Sequence, residues 1–286
     1  MRTPRAQDDH NINIGVLDSG IGGLSILQEV CRRFPAGLNC VYLADHAYFP
    51  YGNKPSTQIS THLQQLCPKF AQYYQLDALI LACNSASTHA LDTVRQQLQI
   101  PVIGVVPAIK PAAKLSRSGT IAVLATEATI QSRYTQDLIT QFASHCQVHL
   151  LAPAGLVELC EQSLQSPHIS IESLKHILTP LWQLDKVDTV VLACTHFPLI
   201  QAQLNQLSIS QGKHYQWQDS GAAIAARIDS LLQVQSHTPT RIQLLSTRAT
   251  GSTQLQQHYT HNPLLAGIRP YVTEVSTFDP EPTPSA

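Results

Sequence analysis

Charge is scarce in this sequence. Only 13% of its 286 residues are Asp, Glu, Lys or Arg, about half of the ~25% usual for a globular domain. Glutamine fills much of the gap, as in Gln64-Gln65, Gln96-Gln97 and Gln256-Gln257. The formal net charge is -1 and no basic stripe occurs, so a polyanion-binding surface is excluded and no nucleic-acid partner is expected. No apolar run approaches the ~20 residues of a membrane helix. The opening MRTPRAQDDHN lacks the apolar core of a secretory signal. The seven cysteines show neither CxxC nor zinc-finger spacing. Together these absences point to a cytoplasmic chain with reduced thiols and no membrane contact.

Cofactor signatures are missing too. The turn Asp18-Ser19-Gly20-Ile21-Gly22-Gly23 is glycine-rich, but a dinucleotide fingerprint needs its third glycine where Ser25 stands. No Walker-type Lys-Ser/Thr pair follows, and no pyridoxal-lysine motif is evident. His145, Cys146 and His149 share no helix or strand face, so no metal site is expected.

What is present is a repeated α/β pattern. The length suits one large or two ordinary domains, and 43% hydrophobic content suffices for proper cores. Leu79 to Ser85 (LILACNS) reads as a buried parallel strand that delivers Cys83 to its carboxyl end. A helix follows from Ala86 to Leu98, started by Asn84 or Ser85. The helix dipole there is expected to lower the thiol's pKa. Val190 to His196 (VVLACTH) repeats the arrangement around Cys194.

Upstream of each cysteine lies a similar opening unit. Asn13 to Gly23 (NIGVLDSGIGG) and Thr120 to Ile130 (TIAVLATEATI) both read as strand, turn, then helix, and both precede their cysteine by a similar interval. The expected architecture is therefore two similar Rossmann-like or flavodoxin-like halves with mainly parallel sheets and a site in the cleft between them. We assign residues 12–106 plus 216–275 to a discontinuous first half and 107–215 to the second. Helices are expected at 107–116, 155–165 and 171–184, and late strands at 240–247 and 265–273. The ends, 1–11 and 280–286, read as disordered.

Ligands of open α/β sheets bind beyond the carboxyl ends of the strands. Two facing halves would thus place Cys83 and Cys194 on opposite sides of one cleft. A disulfide would need Cβ atoms within ~4 Å, leaving no room for a substrate. A metal site would need more ligands than Thr195-His196 and Asn84-Ser85 offer. The remaining chemistry is proton transfer at a carbon held between the thiols, one sulphur removing a proton and the other donating to the opposite face. A thiol at ~8.5 is only a few per cent ionised at neutral pH, so each needs help. Asp18 and His196 are candidate relay groups, while Ser19, Gly52, Asn84, Ser85 and Thr195 suit the carboxylates and ammonium of an amino acid. The remaining cysteines, Cys31, Cys40, Cys67, Cys146 and Cys160, sit in ordinary apolar patterns and read as structural.

Four ordered motifs, DSGIGG at 18–23, PYG at 50–52, ACNSAS at 82–87 and ACTHFPL at 193–199, resemble those of the glutamate racemases of the aspartate/glutamate racemase superfamily. The resemblance runs from about Ile14 to Ser230. It implies Cys83 and Cys194 as the acid/base pair, and substrate binding by Asp18, Ser19, Tyr51, Gly52, Asn84, Ser85, Thr195 and His196. Glu158, in LVELCE, is implied to assist the second cysteine together with His196. The implied activity is cofactor-independent racemisation that supplies D-glutamate for peptidoglycan. Ser85 stands where threonine is usual, Ala193 where glycine is usual and Phe197 where tyrosine is common; the serine keeps its hydroxyl. Aspartate racemisation and a non-catalytic dicarboxylate-binding or inhibitory protein on the same fold stay open at this level, as does a homodimer.

Overall fold

The computed structural model describes residues 11–165, 169–250, 252–253, 255–256 and 269–279. Alternating strands and helices open the chain: β1 (Ile12–Asp18), α1 (Leu24–Arg33), β2 (Leu38–Ala44), α2 (Ser56–Tyr73), β3 (Ala78–Leu81), α3 (Asn84–Gln97) and β4 (Val102–Gly104). After α4 (Ile109–Leu115) come β5 (Thr120–Ala125), α5 (Glu127–Gln131), α6 (Arg133–Phe142), β6 (Gln147–Leu151) and α7 (Leu156–Gln165). The chain continues with α8 (Ile171–Ile177), α9 (Thr179–Trp182), β7 (Thr189–Ala193), α10 (Gln201–Ser210) and β8 (Gln216–Gln218). It closes with α11 (Gly221–Leu231), β9 (Arg241–Ser246) and β10 (Val272–Thr277).

All strand pairings are parallel, and they make two sheets ordered β10-β9-β2-β1-β3-β4 and β6-β5-β7-β8. The first four strands of each half therefore share one order, β2-β1-β3-β4 and β6-β5-β7-β8. The register matches as well. Leu17 pairs with Leu81 two residues before Cys83, and Leu124 pairs with Leu192 two residues before Cys194. Parallel strands need crossover helices, so both faces of each sheet are covered, and the central strands β3, β5 and β7 are buried at every position. One apolar layer of the first sheet holds Ile14, Val16, Tyr42 and Ile80, and the other holds Leu17, Leu43, Leu79 and Leu81. The second sheet is likewise layered, with Leu124 and Leu192 on one face and Val123 and Val191 on the other.

The strand 216–218 corrects the expected boundary between halves. It pairs with β7 and edges the second sheet, not the first. Its aromatic flank decides this, because Tyr215 stacks on Trp182 with ring centroids 6.3 Å apart and sits in the second core. Helix α11 does return to the first core through Ile224 and Ile228, and β9 joins β2 there. The single helix expected over 171–184 is two, since Pro180 starts a new turn and lacks the N–H that would continue the first. The helix expected from Pro107 begins at Ile109. The late strand falls at Val272–Thr277 rather than 265–273, of which 265–268 lie outside the described residues.

The expected disordered ends, 1–10 and 280–286, also lie outside the described residues. Asn11 was grouped with that leader, yet its Nδ2 donates to Leu38 O and Pro239 O, each at 3.2 Å. Among the described residues no helix is long and apolar enough to cross a membrane.

The C-terminal strand is pinned by Phe278, which lies buried against Phe70 of α2 at a centroid distance of 5.9 Å. Phe70 is fully buried and also meets Tyr74 edge-on. Replacing Phe70 with alanine leaves a cavity under the first sheet and is expected to cost about 3–5 kcal/mol. A lower urea midpoint at an unchanged slope would register that loss.

Candidate active site

Cys83 is the residue that caps α3. It is extended (φ -64, ψ 124) while Asn84 already begins the helix. The backbone N–H groups of Ala86 and Ser85 at the start of that helix favour its ionised form, although its side chain makes no cap hydrogen bond. That geometry is the one expected to depress a thiol's pKa, but the net effect is the reverse. Burial pushes the Cys83 thiol up, the Asp18 carboxylate adds to the rise, and the two N–H groups offset only part of it.

Cys194 follows β7 at the matching place in the second sheet, and its Sγ lies 3.8 Å from Nδ1 of His196. The far nitrogen, Nε2, donates to Oε1 of Glu161 at 2.7 Å. Burial alone would lower the His196 pKa, but the contacts with Cys194 and Glu161 outweigh it and raise it well above its usual 6.5. Burial likewise pushes Glu161 up, but the hydrogen bond and charge of His196 and the N–H of Ile21 hold it below 4.5.

The expected helper, Glu158, is corrected by this arrangement. Glu158 is solvent-exposed at the cavity edge. Glu161, one turn further along α7, makes the contact with His196 instead. Residues three apart share a helix face, and here the inner of the two carboxylates reaches the imidazole. The distinction was invisible in LVELCE, which offers both glutamates.

The two halves interlock at Asp18. Its Oδ2 accepts the Thr195 hydroxyl at 2.9 Å and its Oδ1 the N–H of Gly20 at 3.0 Å. Ser25 Oγ donates to Thr195 O at 2.9 Å, and Ile21 N–H donates to Glu161 Oε1 at 3.0 Å. Side chains at two positions of the DSGIGG loop would obstruct these bonds. A Cβ on Gly20 would lie 2.3 Å from Glu161 Oε1, and one on Gly22 would lie 2.5 Å from both His196 Nδ1 and Thr195 Oγ1. Across the other wall Ser85 Oγ and Thr126 Oγ1 are hydrogen-bonded at 2.8 Å.

Between these walls is a cavity of about 370 Å³, lined among others by Ser19, Gly52, Cys83, Asn84, Ser85, Cys194, Thr195 and His196. Both cysteines are nearly buried, with 7% and 6% exposure. Asn84 Nδ2 also donates to Val105 O, which orients its amide. Two of the expected substrate contacts stand behind the lining rather than in it. Asp18 is held in the interlock, and the side chain of Tyr51 is fully buried with its hydroxyl donating to Asp45 at 2.6 Å. Among the described residues no cluster of three or more His, Cys, Asp or Glu is placed to hold a metal ion.

Residues 14–228 match the family model for Asp/Glu/Hydantoin racemase. The chain belongs to that family. It is 44% identical over 219 residues to a glutamate racemase of Salmonella gallinarum, covering 76% of each protein. It is also 44% identical over 227 residues to a glutamate racemase of Proteus mirabilis, covering 79% of this chain and 77% of that one. Among solved structures, Escherichia coli glutamate racemase in complex with L-glutamate and the activator UDP-MurNAc-Ala superposes with a TM-score of 0.81 at 35% identity. That match covers 94% of this chain and 98% of the other. A Bacillus anthracis glutamate racemase isoform gives 0.76 at 26% identity, covering 95% and 98%. The racemase family thus accounts for the parallel sheets and the paired halves.

The His196–Glu161 pair carries a pH signature. A histidine whose pKa rises on folding stabilises the fold fully below its unfolded value and loses that effect as pH climbs through the raised one. A glutamate whose pKa falls stabilises above its unfolded value and loses the effect in acid. Both contributions are therefore complete between about pH 4.5 and pH 6.5. Melting wild type and Glu161→Gln across the pH range should give their largest difference in that window. The gap should narrow in acid and again in alkali.

Proposed function

We propose that this protein is a glutamate racemase that interconverts L- and D-glutamate by two-thiol proton transfer at Cα, without an organic cofactor. The observation that carries the proposal is one cavity reached by Cys83 from the first sheet and Cys194 from the second. One thiolate removes the Cα proton, so the C–H bond breaks and an S–H bond forms. The opposite thiol then gives its proton to the other face, and its S–H electron pair returns to sulphur. The centre inverts, and the next turnover can run in reverse.

The neighbours supply what the sulphurs need. His196, held as an imidazolium by Glu161, is a positive charge beside the sulphur of Cys194. Cys83 has helix N–H groups, but burial and Asp18 oppose its ionisation. A substrate ammonium entering the cavity would bring the opposite charge to that side. Donors from Ser19, Asn84, Ser85 and Thr195 are suited to the carboxylates, where charge develops as the proton leaves. Such donors are typically worth ~3 kcal/mol each, and a positioned acid or base about 10² to 10⁴ in rate. The named relatives favour glutamate over aspartate. The biological role that follows is supply of D-glutamate for peptidoglycan in the cytoplasm.

Incubation of each enantiomer of glutamate in deuterium oxide tests this reading. Wild type should build deuterium into Cα and racemise both. Cys83→Ser and Cys194→Ser should each lose racemisation by at least about 10³-fold, since a serine hydroxyl cannot serve as the base. A wild-type protein that exchanges no Cα proton of glutamate would end the proposal.

A further inference from the structure

Asp45 lies just outside the cavity and takes no part in the proton transfer, yet its carboxyl group gathers three donors. It follows β2 and is 1% exposed. Its Oδ2 accepts the Tyr51 hydroxyl at 2.6 Å and His62 Nε2 at 2.5 Å, and its Oδ1 accepts the Thr247 hydroxyl at 2.9 Å. Its backbone N–H donates to Asp18 O at 2.8 Å, and Thr247 N–H donates to Ala44 O at 3.1 Å. One residue thus joins β1 through its backbone, and the segment after β9, α2 and the turn Tyr51–Asn53 through its side chain.

That turn is a wall of the cavity. Pro50, Gly52 and Asn53 line it, while Tyr51 points away into the first core. Burial pushes the Tyr51 phenol well up, and the Asp45 charge pushes it further, so the hydroxyl remains a donor. The imidazole of His62 is stacked on Tyr48 at 4.0 Å, and Lys54 Nζ closes the turn by donating to Pro50 O at 3.1 Å. Apart from the Lys54 ammonium and a backbone bond from Lys54 N–H to Tyr51 O, the polar contact described for the turn is the one from the Tyr51 hydroxyl to Asp45.

We propose that Asp45 is a positioning residue that acts through Tyr51, clamping the Pro50–Asn53 turn so that the backbone at Gly52 meets the substrate at a set depth. This inference rests on the racemase reading. A wall that touches substrate without reacting contributes alike to the ground and transition states, so loosening it should weaken binding and leave turnover nearly alone.

Steady-state racemisation of L- and D-glutamate, followed by circular dichroism, should be compared for wild type, Tyr51→Phe, Asp45→Asn and the double variant. Each single change is expected to raise KM about tenfold with kcat within about threefold. The double variant should be no worse than the poorer single, because both changes act on the one Tyr51–Asp45 bond, the first removing its donor and the second its charged acceptor. Thermal melts establish folding, and Tyr51→Phe, which removes one oxygen, decides alone if Asp45→Asn does not fold. The clamp is overturned by a folded Tyr51→Phe whose KM stays near wild type, by a fall in kcat at constant KM, or by effects that multiply in the double variant. An inactive wild type would overturn the racemase reading together with the clamp, whereas an active wild type with unmoved variants would overturn the clamp alone.

Discussion

The buried carboxyl of Asp18 sets the distance between the halves. A fully buried acid is costly unless its oxygens are satisfied, and here one donor comes from its own loop and one from Thr195 across the cleft. Burial still raises its pKa, against the lowering by His196 and by those two hydrogen bonds. The neighbouring bond from Ile21 to Glu161 repeats the logic with a second carboxylate. Because both bonds cross between sheets, they tie Cys194 and its histidine to the loop that follows β1. Gly20 and Gly22 of that loop leave room for the opposing half, which comes within 2.5 Å of where their Cβ atoms would stand.

The two cysteines occupy equivalent positions in the strand register but not equivalent fields. Cys194 has His196 and Glu161 beside it. Cys83 has helix N–H groups, with burial and the Asp18 carboxylate opposing its ionisation. The strand positions that follow Leu17 and Leu124 differ in chemistry, since one carries Asp18 and the other Ala125. Two halves of the same strand order thus present their sulphurs in an asymmetric electrostatic environment.

Much of this was legible in the chain itself. The alternation of short apolar runs with amphipathic segments marked the strands and helices, and the repeated cysteine contexts marked the site. Where the reading slipped, a competition was involved that sequence spacing does not express. Residues 216–218 went to the second sheet because Tyr215 stacks on Trp182. Glu161 rather than Glu158 meets His196 because it is the more buried of the two carboxylates, while Glu158 stands exposed at the cavity edge. Tyr51 left the lining because Asp45 holds its hydroxyl inside the first core. The Cys83 thiol rose rather than fell because desolvation outweighed the helix terminus.

The amino-acid order by itself determined the α/β class, the two-fold repeat and the delivery of a cysteine to the end of β3 and of β7. These follow from local periodicity and turn chemistry, which act over a few residues. Only the tertiary structure decided which carboxylates back those cysteines, which way their pKa values move and which polar groups face the cavity. Those outcomes depend on burial and on partners such as Asp18 with Thr195, far apart in the chain, where the balance between desolvation and hydrogen bonding is set by packing.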